Sequence, residues 1–342
     1  MKKFLLTLSV AALAMTACTN ESEEIINNSP QPKEIALKAY AQPTTRAAVD
    51  GETFPTASSM QVAAYDVTNN RDFFGATTFN WSNSGTIWTG SKYWPLTPTY
   101  INFLAYAELN DIEGSSATWD ITNDEISQKA NGVVLVMANN SSAQKDLMYA
   151  IGNGAVTQDG NTLTFPPNVP MVFKHAQAWI SFYADAYDAT SGGKITLNSI
   201  TLNGAKYAGT YTVTHTNYNA SSGQNVSGAW SDLGDAQNVV VPNWTADAIA
   251  YNSSGNGVPV GDGLLIVPDD NAATADFTSF TINYTLDDNT YTYTYAPTSR
   301  NVDQAKHYIY NINFHLHEIL ISATVTDWAD QDAVPVTVHP EE

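Results

Sequence analysis

The chain has 342 residues, with 14 Lys and Arg against 34 Asp and Glu and a formal net charge of −20 at pH 7. A surface so acidic repels phosphate backbones and excludes nucleic acid as a partner. Charged residues make up only 14% of the chain, against roughly 25% in ordinary globular domains.

The polar remainder is Thr, Ser and Asn, and there are 18 Tyr. Thr and Tyr favour strands while Asn, Ser and Gly favour the turns between them, so the composition points to an all-β protein. Roughly 300 ordered residues exceed one typical domain, and two are expected.

The chain opens with Lys2 and Lys3, an apolar run over 4–14, and then Met15-Thr16-Ala17-Cys18. A basic start, a short apolar core and small residues before a cut describe a secretory signal over 1–17. The run is well short of the roughly 20 residues that a bilayer-crossing helix needs. Cys18 is the only cysteine, so no internal disulfide can form. Its position resembles a bacterial lipobox, with the departure that Met15 stands where Leu is usual. Lipidation at Cys18 is expected, and residues 18–32 then read as a polar tether between lipid and fold. Glu21, Glu23 and Glu24 sit just behind the lipid.

Strand patterns begin at once. Ile35, Leu37 and Ala39 alternate with Ala36, Lys38 and Tyr40, so the first three share a face. Residues 60–65 read the same way. Residues 100–106 and 133–137 are near-continuous apolar runs, as expected of strands deep in a sandwich. Residues 152–169 are rich in Gly, Asn and Pro and mark the expected boundary, giving domains over 33–169 and 170–342. The pattern restarts with Phe173, 178–183, 195–202 and 207–213. Two strands over 281–286 and 291–295 flank Asp287-Asp288-Asn289 as a hairpin. Residues 308–320 and 321–325 follow. One or two helical turns are expected at most, over 121–130. Many short strands at regular spacing predict two β-sandwich domains.

The catalytic inventory is thin. There is no GxSxG, HExxH, Gly-rich phosphate loop or cysteine cluster, so neither an enzyme nor a bound cofactor is expected. His315 and His317 alternate and would share a strand face, but zinc needs a third or fourth ligand. Asp269-Asp270-Asn271 and Asp327, Asp330 and Asp332 offer oxygens without EF-hand spacing, and read as acidic turns rather than a metal site. Trp81, Trp88 and Trp94 raise sugar stacking as one reading and inter-strand packing as the other.

Four stretches together resemble the fimbrillin-type lipoproteins of Bacteroidales, which build type V pili. They are EIALKAYAQPTTRAAVDGETFPTASSMQVAAYD (34–66), IWTGSKYWPLTPTYINFLAYAEL (87–109), DLMYA with FKHAQAWISF and ITLNSITLNG (146–204), and ISATVTDWADQDAVPVTV (321–338). The resemblance implies two transthyretin-like β-sandwiches and export as a lipoprotein held in the outer membrane. It also implies cleavage by a trypsin-like arginine protease, and Arg46, followed by Ala47, matches the cut site.

In such a family cleavage releases the first strand, here the one carrying Ile35, Leu37 and Ala39, and a strand from another subunit fills the groove. Val334, Val336 and Val338 alternate in the same way and make the C-terminal tail a suitable donor. The implied partners are other pilus subunits, in a homo- or heteropolymer, and a receptor on a host or bacterial surface. Two alternatives stay open: an anchor or tip adhesin of the same system, and a surface glycan-binding lipoprotein that never polymerises.

Overall fold

The computed structural model describes residues 31–41, 59–69, 71–82, 87–109, 116–119, 133–136, 146–187, 194–215, 226–251, 257–269, 274–315 and 319–327. Cys18, Arg46, Ala47, the 121–130 segment, His317, and Val334, Val336 and Val338 lie outside the described residues. Those from Pro32 onward belong to one compact unit, and every regular element among them is a strand.

In the first half the strands are β1 (Glu34–Ala41), β2 (Met60–Asp66), β3 (Arg71–Ser82), β4 (Ile87–Tyr93), β5 (Thr99–Leu109), β6 (Ser116–Trp119), β7 (Val133–Val136), β8 (Asp146–Asp159), β9 (Thr162–Thr164) and β10 (Val169–His175). Hydrogen bonding runs β10-β1-β4-β3-β2-β5-β8-β9, and β10 also pairs with β8. Val169 to Phe173 of β10 bond β1, and Lys174 and His175 bond β8. The sheet therefore closes on itself at this corner, a sandwich-like barrel in place of two separate open sheets.

Period-two alternation gives strands β2, β5 and β8 two buried faces. Met60, Val62 and Ala64, Ile101, Phe103 and Ala105, and Met148 and Ala150 fill the barrel. The intervening Ala63, Tyr65, Leu104, Tyr106, Leu147, Tyr149 and Ile151 join the core of the second half. Double burial explains why residues 100–106 carry an almost unbroken apolar run.

The second half holds β11 (Ala178–Ala186), β12 (Ile195–Ala205), β13 (Ala208–His215), β14 (Val226–Ser231), β15 (Gln237–Val240), β16 (Asp247–Ala248), β17 (Val258–Pro259), β18 (Leu264–Ile266), β19 (Ser279–Leu286), β20 (Asn289–Tyr295), β21 (Lys306–Phe314) and β22 (Ile319–Asp327). One sheet runs β17-β11-β21-β22 with β18 also on β11, and another runs β15-β12-β19-β20 with β16 also on β12. Their inner faces meet through rings: Phe182 lies 5.2 Å from Phe280, and Phe280 lies 5.0 Å from Tyr310. This is a β-sandwich of the expected kind. A further sheet, β14-β13-β7-β6, joins strands of the second half to β6 and β7 from the first.

The hairpin β19–β20 turns on two residues, Asp287 and Asp288, both at positive φ (49° and 62°). Asn289, expected in the turn, begins β20 and pairs with Leu286.

Candidate functional site

The most informative part of the barrel is the slot that β1 occupies. β1 is inserted between two strands distant in sequence. It runs antiparallel to β4, with Ala36 opposite Thr89 and Leu37 opposite Trp88, and parallel to β10, with Leu37 opposite Val169 and Ala39 opposite Met171. Its alternation drives the placement: Ile35 and Leu37 are 0% exposed and Ala39 is 4% exposed. All three pack in one cluster with Trp88, Phe79, Val169, Met171 and Phe173. Full burial of an Ile or Leu side chain contributes on the order of 1.5–3 kcal/mol.

Polar contacts fix the strand's register. Trp94 N donates to Lys33 O (2.9 Å), Ser91 N donates to the Glu34 carboxylate (2.9 Å), and Lys33 Nζ donates to Pro166 O (3.0 Å). These contacts lie at the N-terminal end of β1, and Lys38 adds its ammonium over the Tyr40 ring at 5.3 Å. The flanking strands are anchored independently of β1. Trp81 packs edge-on against Trp88 at 4.7 Å across β3–β4. The far end of β10 is held to β8 by His175 Nδ1, 2.9 Å from Asp146 Oδ1, and by Ala176 N donating to Leu147 O.

Sequence reasoning found the buried face of β1 and missed the walls of its slot. Val169, Met171 and Phe173 alternate at period two across Pro170, a signal that could have exposed β10 as a strand. Its parallel pairing with β1, across more than a hundred residues of chain, has no local signature.

Of the other candidates, Asp270, Asn271, Asp330 and Asp332 lie outside the described residues, and the rest are placed individually. Trp88 and Trp94 are each 2% exposed within the barrel core, and Trp94 meets Phe103 edge-on at 5.7 Å. With Trp81 half-buried beside them and edge-on against Trp88, packing accounts for the trio. His315 lies just past β21 and stacks on Tyr187 at 3.6 Å. Asp269 pairs with Lys206 at 2.8 Å, and Asp327 pairs with Lys306. Among the described residues no group of three His, Cys, Asp or Glu is gathered to hold a metal.

A sequence model of a family described as fimbrillin-like matches residues 45–328. Among solved structures the chain is similar to a fimbrial protein from Bacteroides vulgatus, at 12% identity and a TM-score of 0.48, covering 86% of this chain and 99% of that one. It is similar also to a candidate cell adhesion protein from Bacteroides uniformis, at 16% identity and a TM-score of 0.47, with the same coverage of 86% and 99%. A third is the fimbrial anchor protein Mfa2 from Porphyromonas gingivalis, at 10% identity and a TM-score of 0.38, covering 87% and 98%. No curated protein matches.

Proposed function

The chain belongs to the fimbrillin-like family, and we propose that it is a structural subunit of a cell-surface pilus, exported as a lipoprotein on Cys18, cut between Arg46 and Ala47, and polymerised by strand exchange. The observation that carries this reading is the position of β1. It is a peripheral segment by sequence and an inserted strand by hydrogen bonding, paired to β4 on one side and β10 on the other.

A cut after Arg46 leaves β1 held by non-covalent contacts alone. Its departure bares two strand edges and the apolar floor around Trp88, Val169 and Met171 at once. Such an edge is a template for another chain. The donor is the C-terminal tail of a neighbouring copy or a related subunit. Val334, Val336 and Val338 supply three apolar side chains at period two, matched to Ile35, Leu37 and Ala39. With Val334 matched to Ile35, Pro335 falls at the position of Ala36, which pairs with Thr89 of β4 and precedes the pairing with β10 that begins at Leu37, so the missing N–H costs one donor at a place with a strand on one side only.

Lipid and protease act in sequence. Acyl chains on Cys18 hold the precursor in the outer membrane, at about 0.8 kcal/mol per buried CH₂. A trypsin-like arginine protease then separates the lipid and β1 from the rest of the chain, freeing the subunit to join a filament and support adhesion to a surface receptor. The two apolar clusters support the two expected domains, 33–169 and 170–342, with β2, β5 and β8 contributing residues to both cores.

Mass spectrometry of subunits taken from cell-surface filaments tests the reading. The expected N-terminus is Ala47. Filaments whose subunits retain residues 34–41 would overturn the maturation step.

A further inference from the structure

The edge strand β20 is built unlike a protected sheet edge. Natural edges are blunted by charge, proline, bulges or brevity. β20 has none of these: its sequence, NTYTYTY, carries no charge and no proline, and it pairs with β19 residue for residue from Asn289 to Tyr295 without a bulge. Six of its seven residues are exposed. Tyr291 and Tyr293 remain 44% and 36% exposed. No other described strand lies on its outer side.

The two-residue turn determines which backbone groups are free. In such a hairpin the closing pair, Leu286 and Asn289, exchanges both hydrogen bonds, and bonded pairs alternate from there. Residues 289, 291, 293 and 295 therefore bond inward to β19. The N–H and C=O groups of Thr290, Thr292 and Thr294 point outward.

We propose that β20 is a self-association edge, on which a second copy of this chain pairs antiparallel about a two-fold axis at Thr292. Residues 290–294, TYTYT, read the same in both directions about that residue. Thr292 meets Thr292 of the second copy, and Thr290 meets Thr294 of the second copy, so each outward donor and acceptor finds its mate. Tyr291 falls opposite Tyr293 of the second copy as a close, non-hydrogen-bonded pair, the geometry in which aromatic side chains interact most. Such an isologous contact closes on itself and joins the β15-β12-β19-β20 sheets of two molecules into one.

Self-complementarity selects this occupant, and local charge does not oppose this register. The chain carries −20 overall, so two copies repel wherever acidic surfaces face each other. Along β20 there is no charge to oppose. Asp288 of the turn lands opposite Ala296 of the second copy, and Asp287 lands opposite Pro297. The surface is remote in topology from the β1 slot and needs no cleavage. It provides side-by-side association, separate from end-to-end strand exchange.

The test uses the full, uncut chain with Cys18→Ser, so that an introduced thiol is unique. Thr292→Cys should form a reducible dimer in air, because an antiparallel pair brings the two Cα atoms to roughly 5.5 Å, within disulfide reach. Val240→Cys, on the opposite edge strand and 50% exposed, should not. Adding Thr294→Lys to Thr292→Cys should reduce crosslinking to the level of the Val240→Cys control. Equal crosslinking at both positions, no crosslinking at either, or indifference to Thr294→Lys would each overturn the proposal. A foreign strand on this edge would leave the introduced thiol without a mate and give the same negative result.

Discussion

Leu37 lies directly across from Trp88 in the β1–β4 ladder, and both side chains are buried. The pair ties the segment proposed to leave to a wall of the slot it would leave behind. Leu37→Ala should destabilise the uncut chain by about 2–5 kcal/mol through the cavity it opens. On the strand-exchange reading β1 is absent from filaments, so filaments assembled from the same variant should dissociate like wild type. Urea unfolding of precursor and filament measures both, and equal weakening of the two would mean that β1 stays in place.

The corner where the barrel closes is sensitive to small additions. A Cβ on Gly152 would strike the Met171 sulfur and lie 2.8 Å from Pro170 O, whereas one on Gly75 would meet nothing within 4 Å. Gly152→Ala is expected to cost about 1–3 kcal/mol by overpacking β8 against β10. Gly75→Ala should be neutral or stabilising by up to about 1 kcal/mol. Urea midpoints of the two variants compare the positions directly.

His307 should make stability depend on pH. It is 7% exposed, stacked on Trp179 at 3.8 Å, with Nε2 2.7 Å from Ser181 Oγ. Burial pushes its pKa down to about 4 from an ordinary 6.5. The unfolded chain therefore binds more protons between those values. The neutral ring's contribution is fully present above pH 6.5 and is lost as the pH falls toward 4. The loss should be on the order of 3 kcal/mol. His307→Gln should remove that component, so the difference in stability between wild type and variant should shrink as the pH falls from 7 to 4.5. A difference that stays constant with pH would contradict it.

The β19–β20 turn carries strain that glycine relieves. Asp288 sits at φ 62°, in the left-handed region that the second position of a type I′ turn demands. Asp288→Gly should raise stability by roughly 0.5–1 kcal/mol, read from the thermal midpoint. A lowered midpoint would mean that the carboxylate contributes more than the backbone strain costs.

What the sequence made legible follows from local periodicity. The buried faces of β1 and β2, the hairpin and the all-strand architecture all appear as alternation or turn chemistry within a few residues. Pairing between distant strands does not. Nothing near Leu37 points to Val169, and nothing near Val134 points to Thr210, its partner across β7–β13. The apolar run at 100–106 was recognisable as deeply buried, but its residues divide between two cores, with Phe103 in one and Leu104 in the other. Proline clustering near 166–170 suggested a break between domains. Pro170 lies within β10, paired with β1 opposite Lys38, where β10 has no ladder to a second strand among the described residues, and a strand with one free edge tolerates a missing donor.

Strand exchange is tested most directly by the donor tail. On the strand-exchange reading, Val336→Asp puts a carboxylate where an apolar side chain is buried in the slot of the next subunit. Purified wild type and variant are treated with trypsin and separated by size exclusion. Strand exchange predicts ladders of oligomers from wild type and a folded monomer from Val336→Asp. Equal ladders from both, or an unfolded variant monomer, would contradict it.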